Sequence, residues 1–328
     1  MNKTPQWQEA SEAIDSAQTI LIVTHVRPDG DAMGSSLGLA NALKQMGKEV
    51  TVAVDLGTPD FFSWLPNSET VLAELDSGSW DLMISTDCGD EGRSGKVGDY
   101  GRAHSDVVIN IDHHRTNPYF GDIHLIETDG ASASQIVYKL WQHMGINWTR
   151  DIAQPLLTGI VTDTLGFRTS STTPQELQIA QELMQHGASL TEATFRTLGV
   201  MSSQELLLWK RVLPTVEIEN GVVSANVTQA DLKSIGLTYI DTGNLVGFLR
   251  SVSDVHVAVV FREDTDNTVK ISFRSDPGFD VSVAASAMGG GGHKQAAGAE
   301  FVGTLADCRA KALPLAREAA QKGQLDIG

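Results

Sequence analysis

Three short apolar runs in the first 112 residues end in acids or histidines. TILIVTH leads into VRPDGD, DLMISTD closes on Asp87, and DVVINID is followed at once by His113 and His114. Runs rich in Val, Ile and Leu, bounded by Gly, Pro or polar residues and separated by stretches of helical spacing, fold as a parallel sheet with helices on its faces. Thr19–His25, Glu49–Val54, Asp81–Asp87 and Asp106–Asp112 read as strands. AMGSSLGLANALKQMG reads as a helix that stops at Gly47, and Ser132–His143, Ile152–Thr164 and Pro174–His186 read as further helices.

The second half has a different texture. TVEIENGVVSANV is two alternating runs around Asn220-Gly221, a strong hairpin signal, and VHVAVVFRE with TVKISFRSD makes a second pair. A glycine run, MGGGGHKQAAGAEF, precedes a helix near Leu305–Gln321. The expected fold is α/β: an N-terminal parallel-sheet domain with helices on both faces, and a smaller C-terminal α/β domain with a mixed sheet. The expected boundaries are 1–190 for the first, 191–214 for a helical linker and 215–328 for the second.

Composition narrows the function. A formal net charge of −17 over 328 residues argues against a broad basic face for long duplex nucleic acid, but leaves room for small phosphorylated ligands. Two cysteines make no disulfide framework, no apolar run nears the roughly 20 residues of a membrane helix, and the N-terminus lacks a secretory pattern. A cytoplasmic protein without membrane contact is expected.

In open parallel sheets, ligands bind beyond the carboxyl ends of the strands. His25, Asp29, Asp31, Asp87, Asp112, His113 and His114 would gather there, joined by Asp163 after the apolar run PLLTGIVTD. So many carboxylates raise one another's pKa values unless cations neutralise them, and mixed Asp and His donors suit Mn²⁺ or a similar ion better than Ca²⁺. Two such ions would clamp a phosphate ester and activate water. Each residue also has a plain reading: Asp31 as a helix cap, a lone histidine as a core residue, the glycines as a hinge. In the binding reading, the Gly289–Gly292 run brings backbone N–H groups to a phosphate and His293 adds a donor. Ser132 and Ser134 in GASAS read as caps of a helix near this cluster.

HVRPDGDAMGSSLGL, STDCGDEGRSG, NIDHHRTN and GIVTDTLGFRTSST resemble, in order, the four motifs of the DHH phosphoesterases. DPGFDVSVAASAMGGGGHKQAAGAEF resembles the Gly-Gly-Gly-His signature of their associated C-terminal domain. The resemblance implies two metal ions, usually Mn²⁺ with Mg²⁺ and Co²⁺ as alternatives, held by His25, Asp29, Asp31, Asp87, His113 and Asp163, with Asp87 as the bridge. It implies that His114 faces the scissile phosphate and that Asp112 orients the histidine pair, while a hydroxide between the metals attacks phosphorus. Gly290, Gly291, Gly292, His293 and Arg274 would contact substrate, and Arg115 and Arg168 are further phosphate candidates, equally readable as structural. The two-domain form looks most like the branch that degrades very short oligoribonucleotides and dephosphorylates 3′-phosphoadenosine 5′-phosphate. A cyclic or linear dinucleotide phosphodiesterase is the alternative enzyme, and a nucleotide-binding regulator the alternative outside catalysis. A homodimer stays open.

Overall fold

The computed structural model describes residues 4–237, 245–264 and 267–326 and divides into two units, Met1–Val200 and Met201–Gly328. In chain order the first unit runs α1 (Trp7–Ser16), β1 (Thr19–Val23), α2 (Gly30–Gln45), β2 (Glu49–Ala53), β3 (Trp80–Thr86), α3 (Gly95–Ala103), β4 (Ser105–Asp112) and β5 (Ile123–Ile126). Helices α4 (Ala133–Met144), α5 (Arg150–Asp163), α6 (Pro174–Gln185) and α7 (Leu190–Thr197) follow. All five strands are parallel, in the order β2-β1-β3-β4-β5.

The sheet is covered on both faces, which is why its strands are apolar throughout rather than alternating. Ile20, Ile22, Leu82, Ile84, Ile109 and Ile111 pack with residues of α2 and α4 on one face. Leu21, Val23, Met83 and Val108 pack with Val97 of α3 on the other. Two of these elements carry little signal in the sequence. Strand β5 is only IHLI, and α3 is the glycine-bearing GKVGDYGRA, so the covered sheet rather than local pattern makes them form.

Helix α5 lies against α2, not against the sheet, and glycines set how closely. A Cβ at Gly34 would meet the Pro155 carbonyl oxygen at 2.5 Å and the Gly159 nitrogen at 2.9 Å, both backbone atoms. Gly30 and Gly38, one turn to either side, face Thr162 and Leu156 of α5. Pro155 inside α5 has no N–H for the Asp151 carbonyl four residues back, and the α2 side chain of Asn41 donates to that carbonyl instead at 2.7 Å.

The second unit runs α8 (Ser203–Val212), β6 (Glu217–Glu219), β7 (Val222–Val227), α9 (Gln229–Ser234), α10 (Leu245–Arg250), β8 (Val257–Glu263) and β9 (Thr268–Ser275). It ends with α11 (Ser282–Ala287), β10 (Gly291–His293), β11 (Ala296–Val302) and α12 (Leu305–Lys322). The sheet order is β10-β11-β9-β8-β7-β6, antiparallel throughout except for the parallel β7–β8 pair, so it is mixed as expected. Asn220 and Gly221 turn the β6–β7 hairpin with φ of 52° and 75°, the pair of positive angles a type I′ turn requires. Among the described residues no helix is long and apolar enough to cross a membrane.

Candidate metal centre

In the first unit the chain leaves β1 toward β2 on one side, while β3 lies on the other. This reversal opens a crevice at the carboxyl ends of β1 and β3. His25 follows β1, Asp87 follows β3, and His113 and His114 follow β4. Asp163 is an exception to the strand-end pattern: it is the last residue of helix α5 and reaches the cluster because α5 is held tightly on α2.

Asp87 stands at the middle. Its Oδ2 is 3.5 Å from His25 Nε2, and its Oδ1 is 3.5 Å from His113 Nε2. Asp29 Oδ2 lies 3.8 Å from the same His25 nitrogen. His113 Nε2 also faces Asp163 Oδ2 at 3.2 Å and Asp31 Oδ2 at 4.0 Å. Donors on one octahedral ion with bonds of about 2.1 Å stand about 3.0 Å apart when adjacent and about 4.2 Å apart when opposite. The separations here fall in that range. His25, Asp29 and Asp87 form one group with metal-ligand spacing, and Asp31, His113 and Asp163 another. The buried Asp87 Oδ1 has no hydrogen-bond partner, a costly state that a cation would relieve. The residues therefore fit two cations sharing Asp87.

The supporting contacts leave these atoms aimed inward. His25 donates Nδ1–H to the Val26 carbonyl at 3.0 Å, which orients the ring and leaves Nε2 facing the carboxylates. Asp29 caps α2, its Oδ1 accepting from Asp31 N and Ala32 N, each at 3.1 Å. Its other oxygen stays with His25, so cap and ligand readings hold together. Asp31 is fully buried, and its carboxylate accepts from the first turn of α4, Ala133 N at 2.6 Å and Ser134 N at 2.9 Å. Ser132 caps α4 as expected, whereas Ser134 serves through its backbone N–H and not as a cap.

The electrostatics are those of a cluster short of positive charge. Burial, then the charge of Asp87, raises the Asp31 carboxyl, and burial, then the charge of Asp31, raises that of Asp163 well above the usual range. Burial alone would raise Asp87 too, but the imidazoles of His113 and His25 facing its two oxygens hold it lowered. Burial works against charge on His113 and His25, yet Asp87 and the neighbouring carboxylates leave both raised.

His114 Nδ1 is 2.7 Å from Asp112 Oδ1, and the fully buried Asp112 accepts through Oδ2 from Asn117 Nδ2 at 2.6 Å. His114 also lies within ligand spacing of Asp87 and His113, but its Nδ1 is engaged with Asp112, which leaves Nε2 for another partner. Arg115 points away into an exposed 3.7 Å ion pair with Asp129, and Arg168 donates Nε–H to the Leu165 carbonyl at 2.6 Å.

Residues 19–160 match the DHH family, N-terminal domain, and residues 222–322 match the DHHA1 domain. A relative from Thermus thermophilus, the bifunctional oligoribonuclease and PAP phosphatase NrnA, is 39% identical over 287 residues, 87% of this chain and 84% of that relative. The chain belongs to the DHH family. The Bacillus subtilis (strain 168) protein of the same description is 30% identical over 298 residues, 89% of this chain and 92% of its own length. The crystal structure of an exopolyphosphatase-related protein from Bacteroides fragilis superposes with a TM-score of 0.83 at 29% identity, covering 96% of this chain and 95% of that one.

The DHHA1 portion has its own geometry. Cross-strand register aligns His293, Ala296 and Arg274 in one row over β10, β11 and β9, and Gly291, Gly298 and Ser272 in the next on the same face. Arg274 donates Nη1–H to the Phe273 carbonyl at 2.9 Å. The glycines divide by reason. A Cβ at Gly290 would meet the Gly298 oxygen at 2.0 Å and one at Gly292 the Ala296 oxygen at 2.6 Å, so β11 requires both, while one at Gly291 meets nothing within 4 Å. Reading for ligands misses Asn117, Gly34 and Gly159. The Gly30, Gly34, Gly38 spacing of four is the sequence signal for Gly34.

Proposed function

We propose that the protein is a metal-dependent phosphoesterase that hydrolyses very short oligoribonucleotides and removes phosphate from 3′-phosphoadenosine 5′-phosphate. The observation that carries hydrolysis is Asp87, whose two oxygens face His25 and His113 separately, as a carboxylate shared by two ions would. His25, Asp29 and Asp87 would hold one ion, and Asp31, His113 and Asp163 with Asp87 would hold the other. Mn²⁺ suits this mixture of imidazole and carboxylate, with Mg²⁺ and Co²⁺ as substitutes. The substrate class follows the relatives named for oligoribonucleotides and PAP, the first of them 39% identical.

When bound, the two cations supply the positive charge that lets the carboxylates ionise together and make water acidic enough to attack phosphorus. The chain supplies the rest. Asp112 holds the Nδ1 side of His114, so that Nε2 is presented to a phosphate oxygen or the leaving group. Arg274, His293 and the exposed Gly291 and Gly292 would contact a phosphate, with Gly291 open to its approach, whereas the Gly290 N–H is already donated to the Ala285 carbonyl at 2.9 Å, which corrects the expectation of a free N–H there. Arg115, in an exposed pair with Asp129, is at most a peripheral phosphate contact. Cys88 and Cys308 are both free, which suits a reducing cytoplasm.

The test is hydrolysis of a linear di-adenylate, 3′-phosphoadenosine 5′-phosphate, a cyclic dinucleotide and pyrophosphate, each with Mn²⁺ and with chelator. Chelator-sensitive turnover of the first two is expected. Turnover of the cyclic dinucleotide alone would favour a cyclic dinucleotide phosphodiesterase, and tight binding without turnover a regulator.

A further inference from the structure

Resting on the reading of His114 as the group that faces phosphate, we propose that Asn117 is the positioning residue that fixes His114, acting through Asp112. The turn after β4 is closed by the Asn117 N–H donating to the His114 carbonyl at 3.1 Å, which brings the Asn117 side chain back beneath the histidine pair. The Asn117 amide nitrogen donates to Asp112 Oδ2 at 2.6 Å and to Asn110 Oδ1 at 2.8 Å, while its oxygen accepts the Tyr119 N–H at 2.7 Å. The amide has one workable orientation. Flipped, its oxygen would face two acceptors and its nitrogen a donor.

Asp112 is fully buried, and Asn117 is 6% exposed. A buried carboxylate is tolerable when each oxygen has a donor. His114 serves Oδ1 and Asn117 serves Oδ2, so the Asp112 plane, and with it the His114 ring, is set from both ends. Asn110 lies within β4, which ties the relay to the sheet rather than to the exposed turn. The oxygen of Asn117 has a separate, local task at Tyr119, whose φ of 61° is left-handed. Holding the turn and holding Asp112 are thus done by different atoms of one side chain, and substitutions can separate them.

Asn117→Asp keeps the shape and the acceptor for Tyr119 but sets a carboxylate against Asp112. Asn117→Ser keeps a short acceptor for the turn and loses the reach to Asp112. The experiment measures kcat and KM on a linear di-adenylate, Mn²⁺ affinity by calorimetry, and the low-field proton resonance of the His114 Nδ1–H in metal-free protein, assigned with His114→Ala. In both Asn117 variants kcat is expected to fall about 10- to 100-fold with KM and Mn²⁺ affinity within about twofold of wild type, and the resonance to vanish. Wild-type kcat in Asn117→Asp, or a loss of kcat matched by a loss of Mn²⁺ affinity, would overturn the assignment. A wild-type protein inactive with Mn²⁺ on every phosphoester tried would instead overturn the proposed function, because the resonance reads the Asn117–Asp112–His114 relay without turnover.

Discussion

Asp87 occupies left-handed backbone, with φ of 52°, and donates its N–H to the Ile111 carbonyl at 2.9 Å. Aspartate and asparagine tolerate that conformation better than alanine does. Asp87→Asn therefore removes the shared charge while keeping the fold, and activity is expected below about one hundredth of wild type, with Mn²⁺ stoichiometry by calorimetry reduced. Near-normal Mn²⁺-dependent turnover in this variant, or in His113→Ala, would remove the two-ion site. Arg274→Ala is expected to raise KM for a dinucleotide and weaken the preference for short chains, with kcat nearly kept, and steady-state kinetics decide it. At this scale the sequence was informative where candidate ligands crowd together. His25, Asp29 and Asp31 lie within seven residues, and Asp112 to His114 are consecutive. Asn117 was silent, because an asparagine before a proline reads as a turn former, and only the folded turn brings its amide to Asp112.

Between elements, the α2–α5 contact brings Asp31 and Asp163 to the same nitrogen of His113. A Cβ at Gly159 would lie 2.0 Å from Ser134 Oγ and 2.6 Å from Asp31 Oδ1, inside the contact that holds Asp31 on α4. Gly159→Ala is expected to cost about 1–3 kcal/mol and to weaken Mn²⁺ binding, read as lower Tm and lower affinity. Gly34→Ala, against backbone that cannot rotate away, should lower Tm at least as far. Gly291→Ala makes the opposite case, since no neighbour opposes its Cβ. It is expected to leave Tm unchanged and to raise KM, and an unchanged KM would make this glycine a structural residue. Helices α2, α4, α5, α6 and α12 were legible from spacing, but α1, α3, α9, α10, α11 and β5 were not, because the few apolar residues of such short elements gain meaning only against a sheet already formed.

For the whole molecule, the buried charges couple metal, protons and stability. The raised carboxyls of Asp31 and Asp163 and the raised imidazoles of His25 and His113 favour their protonated forms in the metal-free fold. Their stabilisation is full below the unfolded values and is lost as pH rises through the folded ones, while lowered Asp87 contributes above its unfolded value and is lost in acid. Metal-free Tm is therefore expected to fall as pH rises through about 7, the value to which the Asp31 carboxyl is pushed, and Mn²⁺ to raise Tm more above that pH than below it. A Tm gain independent of pH, in thermal melts with Mn²⁺ and with chelator, would contradict this. The sequence by itself determined the parallel sheet, the mixed second sheet and the set of candidate ligand residues, because buried strands, turn pairs and motif residues are written in local order. The tertiary structure alone decided that Asp163 reaches the cluster through the α2–α5 contact, that Asp87 faces two groups at once, that β11 explains Gly290 and Gly292, and that Asn117 stands behind His114. Those are relations between residues far apart in the chain or turned toward each other by a fold, and no local pattern encodes distance.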